Sequence, residues 1–220
     1  MRRLQGKQAL ERGVHNPTAR HEESDGNGAA PGSFLISLTD VARIVMWVGD
    51  IDEDAERTVL QRLLYFSRLD FPLARARAYA PRYLTVAALL KILVAFELQQ
   101  AGMPPIRVVR LVETDWEAMR HAFAAAGSAS GASAAPVLML APVALAEIAV
   151  IKSTVEEPLS ETLGYTADAA VLADAARKHA RLVVIDSYRL VERLRAALRR
   201  LGGLVGRDAD NLIREFCQSA

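Results

Sequence analysis

Apolar residues recur at helical spacing along most of this chain and give way to short β-branched runs towards its C-terminal end. Between Phe34 and Val48, the residues Val41, Ile44, Val45 and Val48 form one stripe. That stripe predicts a first helix, capped by Ser37 or Thr39 and stopped at Gly49. Asp50 to Glu56 is acidic, and Asp50 and Glu53 have capping-box spacing at the positive end of the next helix dipole. In that next helix Val59, Leu60, Leu63 and Phe66 share a face, while Arg57, Gln61, Tyr65 and Arg68 fall roughly opposite. Pro72 bars any continuation. Thr85 is placed to cap a longer helix through Gln100, with Val86, Leu89, Leu90, Leu93 and Phe96 inward and Gly102 closing it. Pro104-Pro105 opens a short helix carrying Ile106, Val109 and Leu111. Residues 114–125 keep the helical pattern, and the spacing of Trp116, Met119 and Phe123 points to core packing or a helix–helix contact.

The pattern then changes. AAAGSASGASAAP is a Gly/Ser/Ala run of the kind that links domains, and beyond Pro136 the runs PVLML and RLVVI suit buried strands. Residues 143–151 and 166–179 look helical between those strands. Ser187 to Leu201 is strongly amphipathic, with Leu190, Leu194 (or Val191), Ala197, Leu198 and Leu201 inward and Gly202-Gly203 ending it. A last helix is expected from Asp208, carrying Leu212, Ile213 and Phe216. The predicted organisation is a disordered tail over 1–33, a helical domain over 34–123, a linker over 124–135 and a small α/β domain over 136–220. The fold class expected is mainly α.

Composition supports helix over sheet through its Ala, Leu, Val and Arg, and 51% hydrophobic residues are ample for a core. Cys217 is the single cysteine, so neither an intramolecular disulfide nor a cysteine-based metal cluster can form. No apolar run approaches the ~20 residues that span a bilayer, and MRRLQGKQALERG lacks the apolar core of a secretory signal. A soluble cytoplasmic protein with no membrane partner is the expectation.

Charge changes the picture more. The chain is formally +1, yet Arg57 to Lys91 carries six arginines and a lysine against Asp70 alone. A positive segment within a near-neutral chain suggests a polyanionic partner. A basic helix followed by Arg75, Arg77 and Arg82 in an Ala-rich passage suits a groove-reading helix with a backbone-gripping hairpin. The competing account is a solvated face of an ordinary soluble domain.

The stretch RYLTVAALLKILVAFELQQAGMPPIRVVRLV from Arg82 is similar to the second half of MerR-type winged helix-turn-helix domains. There an Arg-x-Tyr-like wing end leads to a helix, a Gly-hydrophobic-Pro-like turn and a short helix. Upstream, Leu63-Leu64-Tyr65-Phe66-Ser67-Arg68 resembles the aromatic pair that ends the family's recognition helix, and Arg75 stands near its wing arginine. The resemblance spans residues 38–112 and implies a central winged helix binding double-stranded DNA, followed by a regulatory or dimerisation domain. The residues expected at DNA are Arg57, Gln61, Arg62, Tyr65 and Arg68 for bases, and Arg75, Arg77 and Arg82 for phosphates. A homodimer is expected, through either the Trp116–Met119–Phe123 stripe or the helix at 187–201 with the terminal Leu212, Ile213 and Phe216. An unidentified small-molecule effector of the C-terminal part is compatible with this reading. The alternative is a protein-interaction or assembly adaptor whose degenerate winged helix binds no DNA. Leu64 where the family has arginine, and the long segment GDIDEDAE between the first two helices, motivate it.

No Walker A loop, dinucleotide fingerprint or HExxH occurs. GSASG centres on Ala129 and is no nucleophile elbow; Cys217 has no His–acid pattern beside it. No catalytic residue, metal site or cofactor is expected, and His15, His21 and His121 are assigned no role.

Overall fold

A computed structural model describes residues 32–72, 81–129, 131, 136–142, 160–179 and 181–219. The described chain is mainly helical. Strand β1 (Phe34–Ile36) leads into helix α1 (Leu38–Gly49), a 3-10 turn (Glu53–Ala55) and α2 (Glu56–Arg68). Strand β2 (Arg82–Leu84), α3 (Val86–Gln100), α4 (Pro105–Thr114) and α5 (Trp116–Ser128) follow. The C-terminal part holds β3 (Val137–Pro142), β4 (Ser160–Thr166), α6 (Ala169–Lys178), β5 (Val183–Asp186), α7 (Ser187–Leu201) and α8 (Gly203–Ser219).

Phe34–Ile36, expected to begin the first helix, is instead a strand. It pairs antiparallel with β2, Phe34 facing Leu84 and Ile36 facing Arg82. Phe34, Ile36 and Leu84 turn into the core, while the cross-strand pair Leu35 and Tyr83 stays 52% exposed at each residue. Helix α1 then starts where a side chain can cap it: Ser37 Oγ accepts the Asp40 N–H at 3.0 Å. It ends at Asp50, which takes a left-handed conformation with φ 50° and ψ 43°. The capping box expected from Asp50 and Glu53 does not form; Asp52 precedes the 3-10 turn and Ala55 precedes α2, neither with a side-chain cap bond.

Thr85 caps α3 as its position predicts, accepting the Ala88 N–H at 3.2 Å. This helix buries more than its expected stripe, adding Ile92, Val94, Ala95 and Leu98, as befits a helix surrounded by others. The expected face of α4 is corrected: Val108, Leu111 and Val112 are buried, whereas Ile106 is 63% exposed. Trp116, Met119 and Phe123 of α5 are core residues.

The second sheet runs β4-β3-β5, antiparallel throughout, with an irregularity in the β3–β4 register between Met139 and Leu140. Leu138, Leu140 and Ile185 carry this sheet into the core. The helix expected over 166–179 forms over its later part, Ala169–Lys178, after β4 has ended at Thr166. The last helix begins at Gly203 rather than Asp208. Gly202 (φ 72°) breaks the chain direction, and Gly206 lets α8 start close beside α7, since a Cβ there would lie 2.9 Å from the Arg199 carbonyl. The tail at 1–31 and the helix expected at 143–151 lie outside the described residues.

One continuous hydrophobic core runs through both halves. It joins Leu38, Ile44, Leu90 and Phe123 to Leu138, Ile185, Leu194 and Phe216. Helix α7 packs on α1 and α5, and α8 packs on α5 and α3. The boundary expected between 34–123 and 136–220 is therefore crossed by a shared interior. The linker expected over 124–135 begins later, because residues 124–128 belong to α5, with Ala124 and Ala126 buried. Both stripes offered for a dimer contact are largely taken up within the monomer: Trp116, Met119 and Phe123, and likewise Leu190, Leu194, Ala197, Leu198, Ile213 and Phe216, are buried, while Leu201 and Leu212 are half-buried.

Candidate nucleic-acid interface

Helix α2 is held by Val59, Leu63 and Phe66, all buried. Phe66 packs edge-on against Phe71 (5.6 Å between centroids) and Phe96 (5.9 Å), so the aromatic end of α2 is locked to α3. The Phe71 N–H donates to Phe66 O at 3.1 Å, which turns the chain sharply after the helix. The apolar anchoring leaves Arg57, Gln61, Arg62, Tyr65 and Arg68 exposed on the other side.

Gln61, Arg62 and Tyr65, with Thr58, form one wall of an open groove of about 520 Å³. The other wall is the α3–α4 turn: Gln99, Gly102, Met103, Pro104 and Pro105. Gly102 has φ 90°, a conformation that favours glycine, and its N–H donates to Gln99 O at 3.0 Å, so the turn is tight and fixed. Gln99 Oε1 is buried there without a hydrogen-bond partner among the described residues. Arg57 and Arg68 stand on the same helix outside the groove lining. Thr58 and the α3–α4 turn were missed by the sequence reading; Thr58 lies seven residues before Tyr65, on its face, and that spacing was the available signal.

The eight residues expected at DNA thus fall into three groups. Five are exposed together on α2. Arg75 and Arg77 lie outside the described residues. Arg82 sits on β2 and turns back: its Nη1 donates to Ser67 Oγ on α2 at 3.4 Å, while Nε and Nη2 are buried without hydrogen-bond partners among the described residues. That burial pushes the Arg82 guanidinium below its usual range.

The other arginine-rich surface, α7, is largely neutralised inside the molecule. Arg199 pairs with Asp210 at 2.7 Å, Arg195 with Glu192, Arg193 with Asp50 at 2.8 Å and Arg189 with Asp186 at 3.8 Å. Hydrogen bonding to Asp210 raises the Arg199 guanidinium and, in return, lowers the Asp210 carboxyl. A smaller concavity of about 330 Å³ lies between the start of α3 and α8, lined by Val86, Trp116, Leu212 and Phe216 with Arg120 and Glu215 at its polar edge. Cys217 is partly buried near Ser128, and burial pushes its thiol up, away from the thiolate a nucleophile needs. Among the described residues no cluster of His, Cys, Asp or Glu could hold a metal, and no helix is long and apolar enough to cross a membrane.

Set against known proteins, the chain matches no protein-family model and no curated sequence.

Proposed function

We propose that this protein is a DNA-binding transcriptional regulator that presents α2 to duplex DNA as part of a MerR-like winged helix-turn-helix. The observation that carries the reading is the outward face of α2. It holds Arg57, Gln61, Arg62, Tyr65 and Arg68 together, on a helix whose opposite face is firmly anchored. Arginine and glutamine are the side chains that read guanine and adenine edges in a major groove. The order β1–α1–α2–β2–α3, with β1 and β2 paired beside the helices, supports the winged-helix part. In this reading Arg75 and Arg77 grip phosphates, and Arg82 steadies the wing against α2 through Ser67. A homodimer on paired half-sites belongs to the same proposal, with a contact surface outside the two buried stripes.

Fluorescence anisotropy of a labelled mixed-sequence duplex tests it. Saturable binding of the full chain at low salt, weakening steeply as salt rises, is the expected result. Absence of binding at low salt would remove the proposal.

A second reading, a protein-interaction adaptor, draws on the exposed Leu35–Tyr83 pair and Ile106. It requires that Arg57→Ala with Arg62→Ala leave every nucleic-acid phenotype unchanged.

A further inference from the structure

Helix α7 crosses the end of α1, and one of its side chains reaches the turn that leads into α2. Arg193 Nη1 donates to Val48 O at 2.7 Å and pairs with Asp50 Oδ2 at 2.8 Å. Helix α1 has no basic residue in its own last turn, so its negative dipole end has no cation of its own. Arg193 supplies one from far along the chain. Both contacts run through this one nitrogen, whose two N–H bonds can face a carbonyl and a carboxylate side by side.

The residue it holds is a strained one. Asp50 is one of two described non-glycine residues with positive φ, and its N–H donates back to Met46 O, as does the Ile51 N–H at 2.9 Å. A second contact reinforces the crossing: the Arg200 guanidinium lies 4.4 Å from the centre of the Trp47 ring, seven residues along the same helix from Arg193. Glu97 on α3 feels the same charge. Burial pushes its carboxyl up, and the charge of Arg193 pulls it back down. The guanidinium therefore ties the end of α1 to α7.

We infer that Arg193 is a positioning residue for α2. It caps α1 from outside and holds Asp50 in its left-handed turn, fixing the angle at which α2 presents its outward face. The C-terminal helix is then part of the apparatus that aims α2, and any change that moved α7 would be felt there. The consequence for DNA rests on the reading proposed above; the consequence for the turn does not.

Amide hydrogen exchange at Ile51 and duplex binding, measured side by side on the full chain, test this. Arg193→Ala should speed exchange at Ile51 about tenfold, as loss of a charge-assisted hydrogen bond implies, and weaken duplex binding. Arg193→Lys, which keeps a cationic donor, should recover part of both. Arg199→Ala removes a pair confined to α7 and α8 and should leave both at the parent level. Should Arg193→Ala fail to fold, Asp50→Asn carries the test, because asparagine tolerates the turn but loses the charge; the same shifts in smaller size are expected. Exchange at Ile51 no faster than in Arg199→Ala would overturn the inference, as would a loosened turn with undiminished DNA binding. A loosened turn in a protein that binds no duplex at all would remove the DNA reading and leave the turn-holding role standing.

Discussion

At Gly127 helix α5 comes so near α8 that an added Cβ would overlap Cys217 Sγ and touch Val191 of α7 at 3.6 Å. Cys217 has a single short side-chain torsion with which to give way. Gly127→Ala is therefore expected to destabilise the protein by about 1–3 kcal/mol, the usual cost of overpacking. Combining it with Cys217→Ala removes the obstructing sulfur and should recover most of the loss, which a double-mutant cycle in urea unfolding would read as coupling. Two additive losses would contradict the packing account. This site was hidden in the sequence. A run of Gly, Ser and Ala is what a flexible linker looks like, and it is also what close helix packing requires; only Cys217, ninety residues on, decides between them.

Among the elements, α2 shows both what periodicity can reveal and where it stops. Its apolar side was legible because Val59, Leu63 and Phe66 keep helical spacing over about two turns, and the polar side followed by subtraction. Phe66 is the anchor. Truncating it to Ala should cost about 3–5 kcal/mol, since two aromatic contacts and a buried ring are lost together. A melting curve that hardly moves would mean the helix is held elsewhere. Short elements were less readable. Over the three residues of β1 a strand period and a helix period cannot be told apart, and its partner Arg82–Leu84 is distant in sequence. In α4 the segment PIRVVRLV carries apolar residues on two overlapping stripes. The one chosen by the fold, through Val108, Leu111 and Val112, faces the core; Ile106 in the first turn is left at the surface.

For the molecule as a whole, the shared core is the main correction to the sequence reading. A change of composition near residue 130 looks like a domain boundary, yet α7 and α8 return to cover α1 and α5. Composition reports local chain properties; it does not report which distant surface a helix will bury. Unfolding of the full chain should accordingly be one cooperative transition, and a chain ending at Gly127 should lack a cooperative transition altogether, its α1 and α5 faces being exposed. A truncated chain that melts sharply would show that the first half folds unaided.

The two arginine-rich surfaces differ in pairing: Arg193 and Arg199 of α7 are matched by the surface acids Asp50 and Asp210, whereas Arg57 and Arg62 face outward on α2. The affinity for duplex DNA, read together with its salt dependence, measures that difference most directly. Each arginine on a phosphate contributes about 0.9 to the slope of log affinity against log salt, a role this account gives to Arg75 and Arg77. Because both side chains are exposed and read bases in this account, Arg57→Ala with Arg62→Ala should leave the melting temperature in place and weaken binding, with the slope close to the parent's. Arg181→Ala with Arg189→Ala, which removes the same charge from the C-terminal half, should leave affinity and slope close to those of the parent. Equal losses from the two double variants, or none from the α2 pair, would contradict the assignment of α2 as the DNA-contacting helix.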